Sequence, residues 1–360
     1  MATITEVSKR AQVSRSTVSR IIAGNGYVSD TAREAVALAI ADLGYRPNRM
    51  ARGLRSNRSD IIGAVVGDIA APFYAQMAGG MQTGCRRGGK TILVASGHAN
   101  PEDETQAILE LIDRSCDGLI LYLENPVSAM ANTIISQNHM PVVVIGGSAC
   151  DAAKGTVQID NFAGARDAVR FLLAQGHRKI AYFAGNLAFH DTRQRLLGID
   201  AALAEAGMTR ADIYLDCGDY SEDFGQIAAM RLLKTGREIT VIFAGDDDIA
   251  AGVLLALRQA GVQVPRDMSI MGFDDNFHAR HLTPPLTTIR QPIGLAGEMA
   301  ADLLLAIIAG KAPAQSNLMI QTELLRRDSV RDLTGQSGAG IAGAYRVAGS
   351  RQTTHGDTTI

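Results

Sequence analysis

The sequence predicts two unlike folds in one chain: an N-terminal all-α helix-turn-helix head, and an α/β body of two doubly wound parallel-sheet subdomains. Three observations predict this. Residues 1–60 carry ten Lys/Arg against five Asp/Glu, whereas the remaining 300 carry 25 against 32, a basic head on an acidic body. The apolar positions of residues 4–43 recur at helical spacing in three short runs. From Ile61 the pattern changes to strand, turn and helix in repeated alternation, which is the signature of parallel sheets covered by helices on both faces.

Several function classes are excluded at once. No apolar run approaches the roughly 18–20 residues of a membrane span. The N-terminus carries Glu6, Lys9 and Arg10 with no apolar stretch of a secretory leader behind them. Cys85, Cys116, Cys150 and Cys217 are scattered, without CxxC or metal-ligand spacing, as expected of reduced thiols in a cytoplasmic protein.

In the head, Thr5 is placed to cap a first helix with Val7 and Ala11 on its apolar side. Ser14 is placed to cap a second with Val18, Ile21 and Ile22, and Ser29 a third with Ala32, Val36, Ala39 and Leu43. Two short helices joined by a tight turn form a helix-turn-helix. The second helix would expose Arg15, Ser16, Ser19 and Arg20, donors of the kind that reach base edges and phosphates. A helical bundle with a solvated polar face is the plainer alternative. The head spans residues 1–46, and a basic segment follows at 47–60. Gly53 costs its helix about 1 kcal/mol relative to Ala, so this segment is either a hinge that orders on DNA or a flexible tether.

The body, residues 61–331, reads as strands at 61–66, 91–95, 118–122 and 141–145 with helices between them. The alternation restarts after Asp160 with strands at 179–183, 212–215, 240–244 and 268–272. A helix at 293–309 and a strand near 317–325 complete it. The first subdomain takes about 61–160 and 291–318, the second about 161–290 and 319–331. Residues 332–360, rich in Gly, Ala, Ser and Thr without periodicity, read as a disordered tail.

Several phrases then converge on one family. Val13-Ser14-Arg15-Ser16-Thr17-Val18-Ser19-Arg20, Gly44-Tyr45-Arg46-Pro47-Asn48, Ala51-Arg52-Gly53-Leu54, Pro72-Phe73-Tyr74, Gly176-His177-Arg178-Lys179-Ile180, Arg195-Leu196-Leu197-Gly198, Gly272-Phe273-Asp274-Asp275 and Leu325-Arg326-Arg327-Asp328-Ser329 occur in order. Over about residues 3–331 the chain resembles the LacI/GalR family of bacterial transcription regulators. The resemblance implies a body like the periplasmic sugar-binding proteins. It also implies a homodimer that places one recognition helix per subunit in successive major grooves of a pseudo-palindromic operator.

By that resemblance, Arg15 and Ser16 would read bases, with Thr17, Ser19 and Arg20 beside them on bases or phosphates. Thr5, Asn25, Tyr45, Asn48, Ala51 and Arg55 would make further DNA contacts. Leu54 would wedge between base steps of the minor groove, where an apolar side chain can open a kink; packing on its dimer mate is the alternative. The effector, a sugar or sugar acid, would lie in the cleft between the subdomains against Phe73, Asp160, Arg193, Arg195, Tyr220, Asp246, Asp274 and Gln291. Arg195 and Asp274 are either ligand-binding or a supporting ion pair. Asp160 and Asn161, at the crossover, are either lining or capping.

Two features depart from the pattern or add to it. Asp246-Asp247-Asp248 stands where many family members carry Asn-Asp. An ionised Asp246 only accepts hydrogen bonds, whereas Asn also donates. Asp247 is the expected cap of the helix that follows. The cluster His190, Arg193 and Arg195 suggests an anionic effector, unless Arg193 faces solvent.

An enzyme is the competing class. A Mg²⁺ site on Asp246-Asp247-Asp248 with Asp274-Asp275 is conceivable. Against it, the chain has no GxGxxG, Walker A or GxSxG, and His278 and His281 lack a third ligand. The expectation is a sugar-relieved repressor without catalytic residues, metal or cofactor. A metabolite-corepressed regulator of the same fold remains the alternative.

Overall fold

The computed structural model describes residues 2–23, 27–46, 58–311 and 314–335. Asn25, Asn48, Ala51, Leu54 and Arg55 lie outside the described residues, as do most of the 47–60 segment and the tail from 336. The chain forms two compact units, residues up to Asp60 and residues from Ile61 onward.

The first unit has helices α1 (Ile4–Arg10), α2 (Arg15–Ala23) and α3 (Asp30–Leu43). Val7, Ala11, Val18, Val36 and Ala39 form its buried centre, with Ile4, Val13, Ile21, Ile22, Ile40 and Tyr45 packed around them. Thr3, not Thr5, caps α1. Thr3 Oγ1 accepts the Glu6 amide at 3.3 Å, and Glu6 Oε2 accepts the Thr3 amide at 2.7 Å. This reciprocal capping box needs a carboxylate three residues on. Thr5 has Ser8 at that position and sits inside the helix, where its carbonyl accepts Ser8 Oγ at 2.9 Å. Ser14 and Ser29 cap α2 and α3 as expected, each accepting the amide three residues ahead. The left-handed Gly44 (φ 57°) ends α3.

The second unit holds two six-stranded sheets. One contains β1 (Ile61–Val66), β2 (Thr91–Ser96), β3 (Gly118–Leu121), β4 (Val142–Ile145), β5 (Gly155–Ile159) and β11 (Asn317–Ile320). The other contains β6 (Ile180–Ala184), β7 (Tyr214–Cys217), β8 (Val241–Ala244), β9 (Ser269–Asp274), β10 (Thr287–Arg290) and β12 (Glu323–Leu325). The orders are 11-5-4-3-1-2 and 12-10-9-8-6-7. All pairings are parallel except that of β12 with β10. β1 and β6 are the topological switch points, where open α/β sheets bind ligands at their carboxyl ends.

The helices are α4 (Pro72–Arg87), α5 (Pro101–Asp113), α6 (Ala129–Gln137), α7 (Asn161–Ala174), α8 (His190–Glu205), α9 (Glu222–Lys234), α10 (Asp247–Gln259) and α11 (Ile293–Ile308). Each sheet carries one apolar cluster on either face. Two strands escape the sequence pattern. β5 is a short strand of alternating burial, and β10 is Thr-rich. The expected strand near 317–325 is two strands. β11 adds to the first sheet beside β5 and β12 to the second beside β10, so the chain crosses at Gln321-Thr322, slightly later than read from sequence.

Close helix crossings rest on glycine. A Cβ on Gly80 of α4 would stand 1.9 Å from the Gly294 carbonyl oxygen of α11. Gly225 of α9 and Gly252 of α10 meet the partner helix's backbone as closely.

Candidate functional site

Each side of the cleft is built from residues that follow a strand at its carboxyl end. On the first sheet, Phe73 and Tyr74 open α4 after β1, Tyr122 and Glu124 follow β3, and Gly146-Gly147 follow β4. Phe73, Tyr74 and Tyr122 touch one another with ring centroids 5.2–5.7 Å apart, at interplanar angles of 59–85°. The Tyr74 hydroxyl donates to Glu124 Oε1 at 2.8 Å.

On the second sheet, Arg195 of α8 is the centre. It is 4% exposed. Its Nε donates to Asn161 Oδ1 at 2.8 Å, its Nη1 donates to the Gly245 carbonyl, and its Nη2 lies 3.5 Å from Asp274 Oδ1. The guanidinium stacks 4.0 Å over Phe273 and 5.6 Å from the Tyr220 ring centre. Gln291, just past β10, donates Nε2 to Asp274 Oδ1 at 2.5 Å. Tyr220, past β7, shares a 2.7 Å hydrogen bond with Thr192 Oγ1. Asp274 and Asp275 adopt φ of 106° and 55°, a strained backbone for non-glycine residues. Arg290 and Arg327 hold Asp275 there at 2.9 and 2.5 Å.

The two sides meet. The Tyr122 hydroxyl donates to Asp191 Oδ2 at 3.2 Å, and Gly147 lies so close to the His190 ring that a Cβ would come within 2.1 Å of it. A small recess adjoins the contact, bounded by Gly147, Asp160, Asn161, His190, Asp191 and Met319 among others. It lies beside the Arg195–Asp274 pair rather than over it, and Asn161 is the wall they share.

The structure thus gathers Arg195, Tyr220, Asp246, Asp274 and Gln291 on one side and sets Phe73 on the other. Asp160 caps α7, its Oδ1 accepting the Ala163 amide at 2.9 Å, and it also borders the recess. Arg193 is exposed and donates to the Leu187 and Ala188 carbonyls, away from the cluster.

The expected cap of α10 shifts by one residue. Asp246 holds that position, its Oδ1 accepting the Ile249 amide at 2.7 Å. Asp247 is the first helical residue and is buried, accepting Thr288 Oγ1 at 2.7 Å and the Asn276 amide at 2.8 Å. Strand β8 ends one residue before Gly245, so the extended cap position falls on Asp246.

Sequence reasoning missed Tyr74, Tyr122, Glu124 and Asp191. The available signal was position, since Tyr122 and Glu124 follow the apolar strand Leu119-Ile120-Leu121 directly.

Three cleft carboxylates, Glu124, Asp274 and Asp246, are raised from their ordinary values. Burial pushes Glu124 up to about 7, with Asp191 and Glu104 adding to it and Tyr74 and Arg195 opposing. Burial pushes Asp274 up to about 6 against the pull of Arg195 and Gln291. Asp246 rises well above the carboxylate range through burial and then the nearby Asp274. The folded state therefore holds more protons than the unfolded chain between the ordinary carboxylate value and about pH 7, so this stabilisation falls as pH rises through that window. Thermal melts should show the stability of wild type relative to Glu124→Gln declining from pH 5 to pH 8. A relative stability that rises over that range would contradict the assignment.

Among the described residues no group of three metal-ligating side chains occurs and no helix is long and apolar enough to cross a membrane.

In the first unit, α2 buries Val18 and presents Arg15, Ser16 and Arg20 to solvent, with Thr17 and Ser19 half-buried. Ser14 Oγ accepts the Thr17 amide at 3.1 Å and is bonded to Ser16 Oγ and Thr17 Oγ1 at 2.7 and 2.8 Å, which orders the start of this helix. Tyr45 packs on the small core with its side chain partly open.

Residues 3–48 match the family described as bacterial regulatory proteins, lacI family, and residues 169–330 match a periplasmic binding protein-like domain. The transcriptional repressor PurR of Erwinia tasmaniensis is 33% identical over 92% of this chain and 98% of its own length. The chain belongs to the LacI family. The transcriptional regulator GalR of Escherichia coli is 34% identical over 92% of this chain and 96% of its own. Among solved structures, the Lac repressor dimer bound to operator and the anti-inducer ONPF matches at TM-score 0.82, with 27% identity over 92% of this chain and 99% of that one. A CelR–cellobiose complex matches at 0.69, with 32% identity over 91% and 100%. As a LacI-family member the protein is a DNA-binding transcriptional regulator with a ligand-binding body, and its relatives are regulators rather than enzymes.

Proposed function

We propose that the protein is a cytoplasmic repressor of carbohydrate-utilisation genes, bound as a homodimer to a pseudo-palindromic operator and released by a sugar-derived inducer in the cleft. One observation carries the ligand half of this reading. The aromatic wall of Phe73, Tyr74 and Tyr122 faces the polar set Arg195, Asp274 and Gln291 across the cleft. A sugar offers an apolar ring face to the first and hydroxyls to the second. The cellobiose and operator complexes of similar proteins support the same roles.

In the head, Arg15 and Ser16 contact base edges, and Thr17, Ser19 and Arg20 contact bases or phosphates. Thr5, Asn25, Tyr45, Asn48, Ala51 and Arg55 add further DNA contacts, and Leu54 enters the minor groove. Cleft closure by ligand then shifts the dimer between two arrangements. A coupling of about 1–3 kcal/mol would change operator affinity roughly 5–150-fold.

Footprinting tests this reading. The protein should protect a near-palindrome, and uniform binding to all DNA would sink the repressor assignment. Leu54→Ala should weaken operator binding more than nonspecific binding, and equal losses would remove the wedge. A sugar that tightens operator binding would make the protein corepressed instead.

A further inference from the structure

We infer that Asp247 is a positioning residue of the ligand cleft: its buried side chain clamps the turn Asp274-Asp275-Asn276 to β10 and so holds Asp274 against Arg195. The inference rests on the reading that Arg195, Asp274 and Gln291 take the ligand. It adds to that set a residue with no exposed surface of its own.

Asp274 needs such a hold. It and Asp275 adopt φ of 106° and 55°, a region that residues with a Cβ enter at a cost. A turn free to relax would leave it, and the Asp274 carboxylate would move with the backbone. That carboxylate is where the cluster meets: Arg195 Nη2 lies 3.5 Å from Oδ1, and Gln291 Nε2 donates to the same oxygen at 2.5 Å.

Asp247 supplies the hold from the first residue of α10. Its Oδ2 accepts the Asn276 amide at 2.8 Å, and its Oδ1 accepts Thr288 Oγ1 at 2.7 Å. One side chain thus ties the residue after the strained pair to the strand that leads into Gln291. Asp248 adds to the grip, accepting Asn276 Nδ2 at 2.8 Å. Asn276 passes the order on, its Oδ1 accepting the His278 amide at 2.9 Å and its carbonyl the Ala279 amide at 3.1 Å.

A second observation is the space made for this side chain. Gly272 of β9 is paired with Thr288 of β10, and a Cβ on Gly272 would stand 2.2 Å from Asp247 Oδ1. Glycine there lets the carboxyl reach across β9 to Thr288. This accounts for the glycine that opens Gly272-Phe273-Asp274-Asp275, which the ligand set itself does not use. The clamp needs two hydrogen bonds and no charge. Burial, and then the nearby Asp274, raises the Asp247 carboxyl well above the ordinary carboxylate range. Asn has the same shape, with one acceptor for the Asn276 amide and one donor for the Thr288 hydroxyl, which accepts as readily as it donates.

Two readouts on the full chain test this: amide hydrogen exchange without ligand, and calorimetric titration with cellobiose, galactose and glucose well below the melting temperature. In Asp247→Ala, protection should fall at the hydrogen-bonded amides of Asn276, His278, Ala279 and Gln291, with β1, β3 and β4 as unchanged references. Affinity for the sugar that binds wild type should fall about tenfold or more, the factor by which relief of one strained φ can depopulate the competent turn. Asp247→Asn should recover most of both. Thr288→Val removes one of the two bonds and should give the same pattern more weakly; it carries the test if Asp247→Ala does not fold. A residue that merely stabilised the body would lower the melting temperature and leave exchange at the turn and sugar affinity as in wild type. That result overturns the inference, as does a loosened turn with undiminished affinity. An Asn variant as impaired as Ala overturns the two-bond clamp. If none of the sugars binds wild type, the carbohydrate reading fails, and exchange at the turn still decides whether Asp247 holds it.

Discussion

Arg195→Ala is expected to destabilise the body by about 3–5 kcal/mol, the cost of leaving a buried charge without its partner, and to end any response to ligand. In a body of this size that corresponds to a fall in melting temperature of roughly 10 °C. The guanidinium does several things at once. It neutralises Asp274 at 3.5 Å, donates to Asn161 and to the Gly245 carbonyl, and stacks on Phe273. Alanine removes the donors and leaves Asn161 Oδ1 and Asp274 facing a void. The sequence left Arg195 as either a ligand-binding group or half of a supporting ion pair, and the structure places the supporting bonds on the same guanidinium that borders the cleft. Differential scanning calorimetry checks it, and a melting temperature within about 2 °C of wild type would show that Arg195 is not structurally committed. Arg195→Lys keeps the charge but loses the fork that spans three acceptors. It should recover part of the stability and little of the ligand response.

Gly252→Ala should also be destabilising, by about 1–3 kcal/mol or more, although alanine is the better helix former by about 1 kcal/mol. Which effect wins is decided by distance. The new methyl would sit 1.9 Å from the Glu222 carbonyl oxygen and 2.8 Å from the Gln226 amide nitrogen of α9. Both are backbone atoms, so no rotamer change relieves the clash, and α9 and α10 must separate. Gly225 meets α10 in the same manner, 2.1 Å from the Ile249 carbonyl oxygen, so the crossing has no slack on either side. Asp246 caps α10, and separation would move it out of the cleft geometry. Chemical denaturation of Gly252→Ala should show a lower midpoint with an unchanged slope. A midpoint equal to or above wild type would mean that the helices tolerate the spread.

The alternation of apolar strands and amphipathic helices was legible because burial on both faces of a parallel sheet forces continuous apolar runs such as Val142–Ile145. The same rule hid β5 and β10. β5 adds a short strand of mixed burial, and Thr287-Thr288 bury hydroxyls that donate to the Arg327 carbonyl and to Asp247 Oδ1, while Ser329 Oγ accepts the Thr287 amide, all from distant parts of the chain. The split of 317–325 into two strands was hidden for a related reason. Which sheet a strand joins depends on the edge it reaches, which is not a property of its own residues.

By itself, the sequence determined that a basic helical head precedes a twice-repeated α/β body, and it named Phe73, Asp160, Arg193, Arg195, Tyr220, Asp246, Asp274 and Gln291 as candidates for one site. Residue type, period and family phrases suffice for that, because they are local. Only the tertiary structure decided that Thr3 rather than Thr5 caps α1, that Asp246 rather than Asp247 caps α10, and that Arg193 points away while Tyr122 and Asp191 bridge the cleft. Those outcomes depend on which groups meet across gaps of a few ångströms between elements far apart in the chain. There, hydrogen-bond geometry and the cost of an unpaired buried charge choose among side chains that look equivalent in sequence.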